Sequence, residues 1–140
     1  MSLLRFAHSW TRWLVLIVAI AAIVYLIAAL IQRKSWGKPG PALMAAFSGL
    51  VGLQWIIGLI FLVVLGTQTG FGLRHYWEHL TTMTIALVTA HGHYMLRRRQ
   101  MPDARREAIY LALVVITLLL IIGGIFVLPE GIQWRLYAGQ

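Results

Sequence analysis

Four long apolar runs, each closed by Gly, Pro or clustered basic residues, divide the chain. Residues 13–32 carry no charge and are long enough to cross a hydrocarbon core of about 30 Å at 1.5 Å per residue. Arg33, Lys34, Ser35, Trp36, Gly37, Lys38, Pro39, Gly40 and Pro41 then form a basic turn, whose Gly and Pro residues break the helix. A second span is predicted over 42–66, with Ser48, Gly49 and Gly52 small enough to admit a neighbouring helix and Gln54 near its middle. A third runs over 76–96 and stops at Arg97, Arg98 and Arg99; a fourth runs over 108–128. Asp103 is the expected N-cap of the fourth, and Pro129 closes it. The tail, 129–140, carries Trp134 and Tyr137 and reads as an aromatic anchor at the membrane interface. The lead-in before Trp13 reads as a polar-aromatic segment outside the first span.

The short connections favour an all-α, integral membrane, up-down four-helix bundle as a single domain. With 140 residues of which 60% are hydrophobic, lipid is the expected solvent. The formal charge of +8 does not point to nucleic acid, because the basic residues gather in the breaks between apolar runs. Arg33, Lys34, Lys38, Arg97, Arg98, Arg99, Arg105 and Arg106 lie on one side, against Arg5, Arg12, Arg74 and Arg135 on the other. The richer side should face the cytoplasm, which places both termini on the outer, periplasmic side. The absence of cysteine excludes disulfides, iron–sulfur clusters and covalent haem attachment.

The third span and its entrance change the picture. His75, His79, His91 and His93, four of the five histidines, fall there together with Glu78. An ionisable group in or beside a membrane span is costly and marks a candidate site. Neutral imidazole is the usual axial ligand of b-type haem, and helix bundles build such sites from facing helices. His8 and His79 form the first candidate pair, with His75 in reserve for His79. Counted back from the cytoplasmic ends, His79 lies level with Val15 or Leu16, about 10 Å from the level of His8. Arg12 and Arg74 are candidates for the haem propionates, or else snorkelling residues at the membrane edge. His91 and His93, one turn from the arginine cluster, read as interfacial. Gln54 reads as a packing amide rather than a quinone contact, although a quinone partner stays open.

His75-Tyr76-Trp77-Glu78-His79 also spells H-x-x-E-H, a zinc-hydrolase motif. Such a site needs a third ligand, for which the outer side offers His8 or Glu130, and an open cleft. A non-catalytic copper or zinc site from His8, His75 and His79 is therefore one alternative. Another is a cofactor-free accessory subunit packed on a larger membrane complex.

His8-Ser9-Trp10-Thr11-Arg12-Trp13, then Gln54 with Gly58, then Glu78-His79 followed by Met83 and Ala86, resemble the recurring pieces of small bacterial four-span membrane proteins of the cytochrome b-like type. The resemblance implies haem b with His8 and His79 as ligands, in an electron-carrying protein of the bacterial inner membrane. Redox subunits or a second copy would be its partners. The group tends to carry a polar residue shortly before the Gln; Leu50, Val51 and Gly52 stand there instead.

Overall fold

The computed structural model describes residues 2–33 and 39–137; most of the basic turn (34–38) and the last three residues (138–140) lie outside the described residues. The described residues are helical and contain no strand. Helix α1 spans Ser2–Gln32, α2 Pro39–Thr69, α3 Arg74–His91 and α4 Asp103–Phe126; a short 3-10 helix, Gly92–Leu96, extends α3. Helix α1 packs on α2 and α4, and α3 packs on the same two helices.

Three of the four helices, α1, α2 and α4, are long and apolar enough to cross a membrane. Their buried and exposed faces are equally apolar. On α1, Val15, Ala19, Ala22, Leu26 and Ala29 recur at three- and four-residue spacing and are buried, while Ile17, Ile20, Val24, Ile27 and Ile31 point outward. Helices hydrophobic on every side belong in lipid. The third segment departs from expectation, because α3 has 18 residues and includes His75, Glu78 and His79. Its polarity leaves it short of the other three.

The helix ends correct several expected boundaries. Polarity ends a membrane span but not a helix, so α1 begins at Ser2 and not near Trp13. No Gly or Pro interrupts it, and the Ser9 hydroxyl donates to the Phe6 carbonyl at 3.0 Å. Similarly, α2 starts at Pro39, because prolines in a first turn surrender only N–H groups that have no helical partner. Asp103 is the first residue of α4 and makes no cap; it stands 3.6 Å from Arg106 in a partly exposed pair.

At the end of α2, Gly70 adopts φ +79° and turns the chain. The Phe71 ring then folds over Gly66, where any Cβ would collide with it.

The core is continuous across the helices. Met44 and Phe47 of α2, Leu26 of α1, Ala86 and Ala90 of α3, and Val114 and Ile125 of α4 all belong to one buried cluster. His93 belongs to this interior, contrary to the interfacial reading. It is 1% exposed, donates from Nδ1 to the Ala90 carbonyl at 2.9 Å, and packs edge-on to Tyr110. His91 is half-buried and faces Gly52 of α2, while its Nδ1 donates to the Leu87 carbonyl at 2.9 Å. Carbonyls engaged by imidazoles accompany the change from α- to 3-10 winding at Gly92.

The tail packs back onto the helices. After α4 it turns back across the end of the molecule, and the Arg12 guanidinium holds it. Nη1 donates to the Gln133 carbonyl at 2.7 Å and Nη2 to the Arg135 carbonyl at 3.0 Å. The Tyr137 backbone N–H donates to Ser9 Oγ at 3.3 Å, and Trp10 Nε1 donates to the Tyr137 carbonyl at 3.3 Å. The two described ends of the chain therefore meet.

Candidate functional site

A cavity of about 370 Å³ opens between the four helices beneath this tail. That volume falls in the range of small-molecule and cofactor sites, roughly 300–1,000 Å³. Its inner wall is apolar, with Val15, Val51, Met83, Ala86, Ile121 and Ile125. Its mouth carries three guanidinium residues, Arg5, Arg12 and Arg135, and no carboxylate among the described lining.

His8 and His79 both line this cavity. Their ring centres are 6.5 Å apart and their planes 75° from parallel. The expected difference in depth is absorbed by unequal helix lengths, since α1 has 31 residues and α3 has 18. At the 3-10 rise of about 2.0 Å per residue, the extension of α3 recovers only a few ångströms more.

Each imidazole is seated against a glycine. His79 Nδ1–H donates to the Gly124 carbonyl of α4 at 2.6 Å, which leaves Nε2 as its bare nitrogen. Gly124 permits that approach, because a Cβ there would meet Met83 and Thr82 of α3. His8 lies against Gly58 of α2, where a Cβ would stand 2.9 Å from its Cε1. Gly58→Ala should therefore turn the His8 ring without unwinding α2. Its ring resonances should move in an NMR spectrum of the detergent-solubilised protein while the far-ultraviolet circular dichroism stays unchanged. Unmoved ring resonances would show that the space beside His8 is larger than this.

Gln54 is the polar residue that joins α1 to α2. Its Oε1 accepts from the Thr11 hydroxyl, and its Nε2 donates to the His8 carbonyl at 2.9 Å. The same Nε2 stands 3.2 Å from His8 Nδ1 and 3.3 Å from His8 Nε2. The amide is more than a packing group, because it touches both the backbone and the ring of a candidate ligand. Its position one turn before Gly58 was the available sequence clue. Trp55, which the sequence did not single out, also lines the cavity and donates from Nε1 to Thr84 Oγ1 at 3.0 Å.

Two expected site residues stand elsewhere. Arg74 is exposed and pairs with Glu78 one turn along α3, Nε to Oε1 2.5 Å, outside the cavity lining. His75 lies tilted against Tyr76, ring centres 4.2 Å apart, and does not line the cavity either. Among the described residues no group of three His, Asp or Glu side chains is placed to hold a metal ion. The H-x-x-E-H stretch fails through its contacts and not its spacing, since one turn keeps His75 and His79 on the same helix face. His75 lies against Tyr76, His79 is held by the Gly124 carbonyl, and Glu78 pairs with Arg74. The outer copper or zinc site of His8, His75 and His79 is thus not assembled.

Arg12, expected at a propionate, faces the tail through its two Nη donors, and its Nε has no protein partner although buried. Arg5 and Arg135 stand by the Tyr137 ring, 6.0 and 5.1 Å from its centroid. The cationic mouth therefore comprises more residues than sequence alone indicated, and a different set.

The donor set suits a bis-imidazole metal group. Metal–imidazole bonds of about 2 Å place the ring centres of two opposed ligands roughly 6 Å apart, close to the separation found here. An N–H···O=C bond behind the ligating nitrogen, as at His79, is the usual support of such a ligand. Comparison with known proteins returns no match to a family model, to a curated protein or to a solved structure.

Proposed function

We propose that the protein is a membrane b-type cytochrome that holds one haem b between His8 and His79 and carries single electrons. The observation behind this reading is the pair of imidazoles from separate helices, 6.5 Å apart at the wall of a cavity with a cationic mouth. When bound, haem supplies one-electron exchange between ferric and ferrous iron. The chain supplies the rest. His8 and His79 would both hold the group, and two histidine ligands suit electron transfer rather than oxygen activation. Val15, Val51, Ile121 and Ile125 exclude water from the ring, and the low local dielectric strengthens every charge interaction at the mouth. Arg5 and Arg135, with the unpartnered Arg12 Nε, are placed to meet two propionate carboxylates.

In this reading the four helices form an up-down-up-down bundle across a bacterial inner membrane. Arg97, Arg98 and Arg99 lie at the cytoplasmic face, and both termini lie at the outer face. Helix α3 crosses with the others because its costly polar residues turn toward the cavity or the exposed end instead of lipid. A quinol or a neighbouring redox subunit would be the source or acceptor of electrons.

Protein purified in mild detergent and supplied with hemin should give a reduced-minus-oxidised spectrum with a b-type Soret and α band. A folded, helical preparation that shows neither would overturn the assignment.

A further inference from the structure

The mouth of the cavity carries charge of one sign. Arg5, Arg12 and Arg135 line it, and no carboxylate does among the described residues. None of the three is in an ion pair there; the two pairs present join Arg74 to Glu78 and Arg106 to Asp103. Arg12 is the most enclosed of them. It is 8% exposed, its two Nη groups donate to the Gln133 and Arg135 carbonyls, and its Nε is buried with no partner. Neutral carbonyls satisfy donors without balancing the charge, so a guanidinium held this far from water still lacks a counterion. An anion at the mouth would give it one, together with an acceptor for Nε.

A small inorganic anion would match the mouth but not the wall. Inward of the arginines the lining includes Val15 of α1, Val51 of α2, Met83 of α3, and Ile121 and Ile125 of α4. The space is long, since its α2 lining runs from Val51 to Leu65, about 21 Å at 1.5 Å per residue. A hydrocarbon core of about 30 Å is two acyl chains end to end, so this length takes one chain with its headgroup at the mouth. Because the apolar residues come from all four helices, that chain lies inside the bundle. A headgroup with a second chain would have to hold it outside.

We propose that the cavity binds a single-chain acidic amphiphile, a long-chain fatty acid. Its carboxylate lies among Arg5, Arg12 and Arg135, and its chain runs along the apolar wall. This goes beyond the haem reading and does not depend on it, because the site belongs to the protein without haem and hemin competes for it.

The test uses the full-length protein in maltoside detergent, prepared without haem and irradiated with palmitate that carries a diazirine in its chain. Mass spectrometry should place the label on the cavity wall, at Val51, Met83 or Ile121. Label confined to outward-facing positions such as Ile17, Val24 and Ile56 puts the chain in the detergent belt and overturns the proposal. Unlabelled palmitate should remove the wall label at a concentration roughly tenfold below that of hexadecanol, which has the chain without the charge. Equal competition by the alcohol overturns the proposal too. Phosphatidylglycerol, anionic with two chains, should compete no better than hexadecanol; competition equal to palmitate's assigns the mouth to a phospholipid and overturns the fatty-acid site. Arg5→Gln combined with Arg135→Gln removes two exposed guanidinium groups that donate to no tail carbonyl. The pair should weaken palmitate roughly tenfold with circular dichroism unchanged, and an unaltered affinity again overturns the proposal. Wall label without a b-type spectrum removes the cytochrome reading alone; the spectrum without wall label removes this inference alone.

Discussion

His79→Ala is expected to reduce haem retention by roughly 100-fold or more, whereas His75→Ala should leave the absorption spectrum unchanged. Loss of an outer-shell partner of a metal ligand already costs about 10–100-fold in affinity, and loss of the ligand itself costs at least as much. The contrast arises from one turn of helix. His79 reaches across to the Gly124 carbonyl and faces the cavity, while His75 lies on the Tyr76 ring outside it. Hemin titration followed in the Soret region, with gel filtration to show that both variants stay folded, measures the difference. Equal losses would mean that neither imidazole ligates and that each variant weakens the fold. A loss confined to His75→Ala would make His75 the ligand in place of His79.

Apolar runs long enough to span lipid gave away the helices but not their inner faces, since the buried Val15, Ala19 and Ala22 and the exposed Ile17, Ile20 and Val24 are alike apolar. Helix ends were harder, because the sequence marks where lipid stops and the helix continues past it, as at Ser2 and Pro39. His8 and His79 could be paired from their residue type and a family resemblance, although a count of depth set them about 10 Å apart. Unequal helix ends, which no local pattern encodes, bring them together. Local patterns are equally blind to His93. One turn from three arginines it resembles a headgroup residue, yet its ring is turned inward against Tyr110. Arg74, read as a propionate partner or a residue of the membrane edge, stands outside the cavity lining, where its partner Glu78 lies within its own helix.

The tail was the least legible feature and carries the second large effect. Arg12 is 8% exposed, and its guanidinium stands beside the paired Trp13 and Trp134 rings, 5.8 and 5.9 Å from their centroids. It donates to two carbonyls that follow it in sequence by 121 and 123 positions, a link that no helical periodicity can signal. Hydrogen bonds to a charged group contribute about 1.5–3 kcal/mol each, so the clasp is worth on the order of 3–6 kcal/mol locally. Arg12→Met keeps the apolar stem, removes both donors and should release the segment after Leu128. Limited proteolysis in detergent should then cleave between Gly131 and Tyr137 at least 100-fold faster than in wild type, which corresponds to about 2.7 kcal/mol. Arg12→Lys should fall between the two, because an ammonium cannot reach two carbonyls with the fixed fork of a guanidinium. The tail forms one wall of the cavity through Ile132, Arg135 and Tyr137, so its release should also admit hemin faster and let it leave faster. A tail as protected in Arg12→Met as in the wild type would show that the Trp10, Ser9 and Tyr137 bonds suffice to hold it, and that Arg12 is free to face the cavity instead.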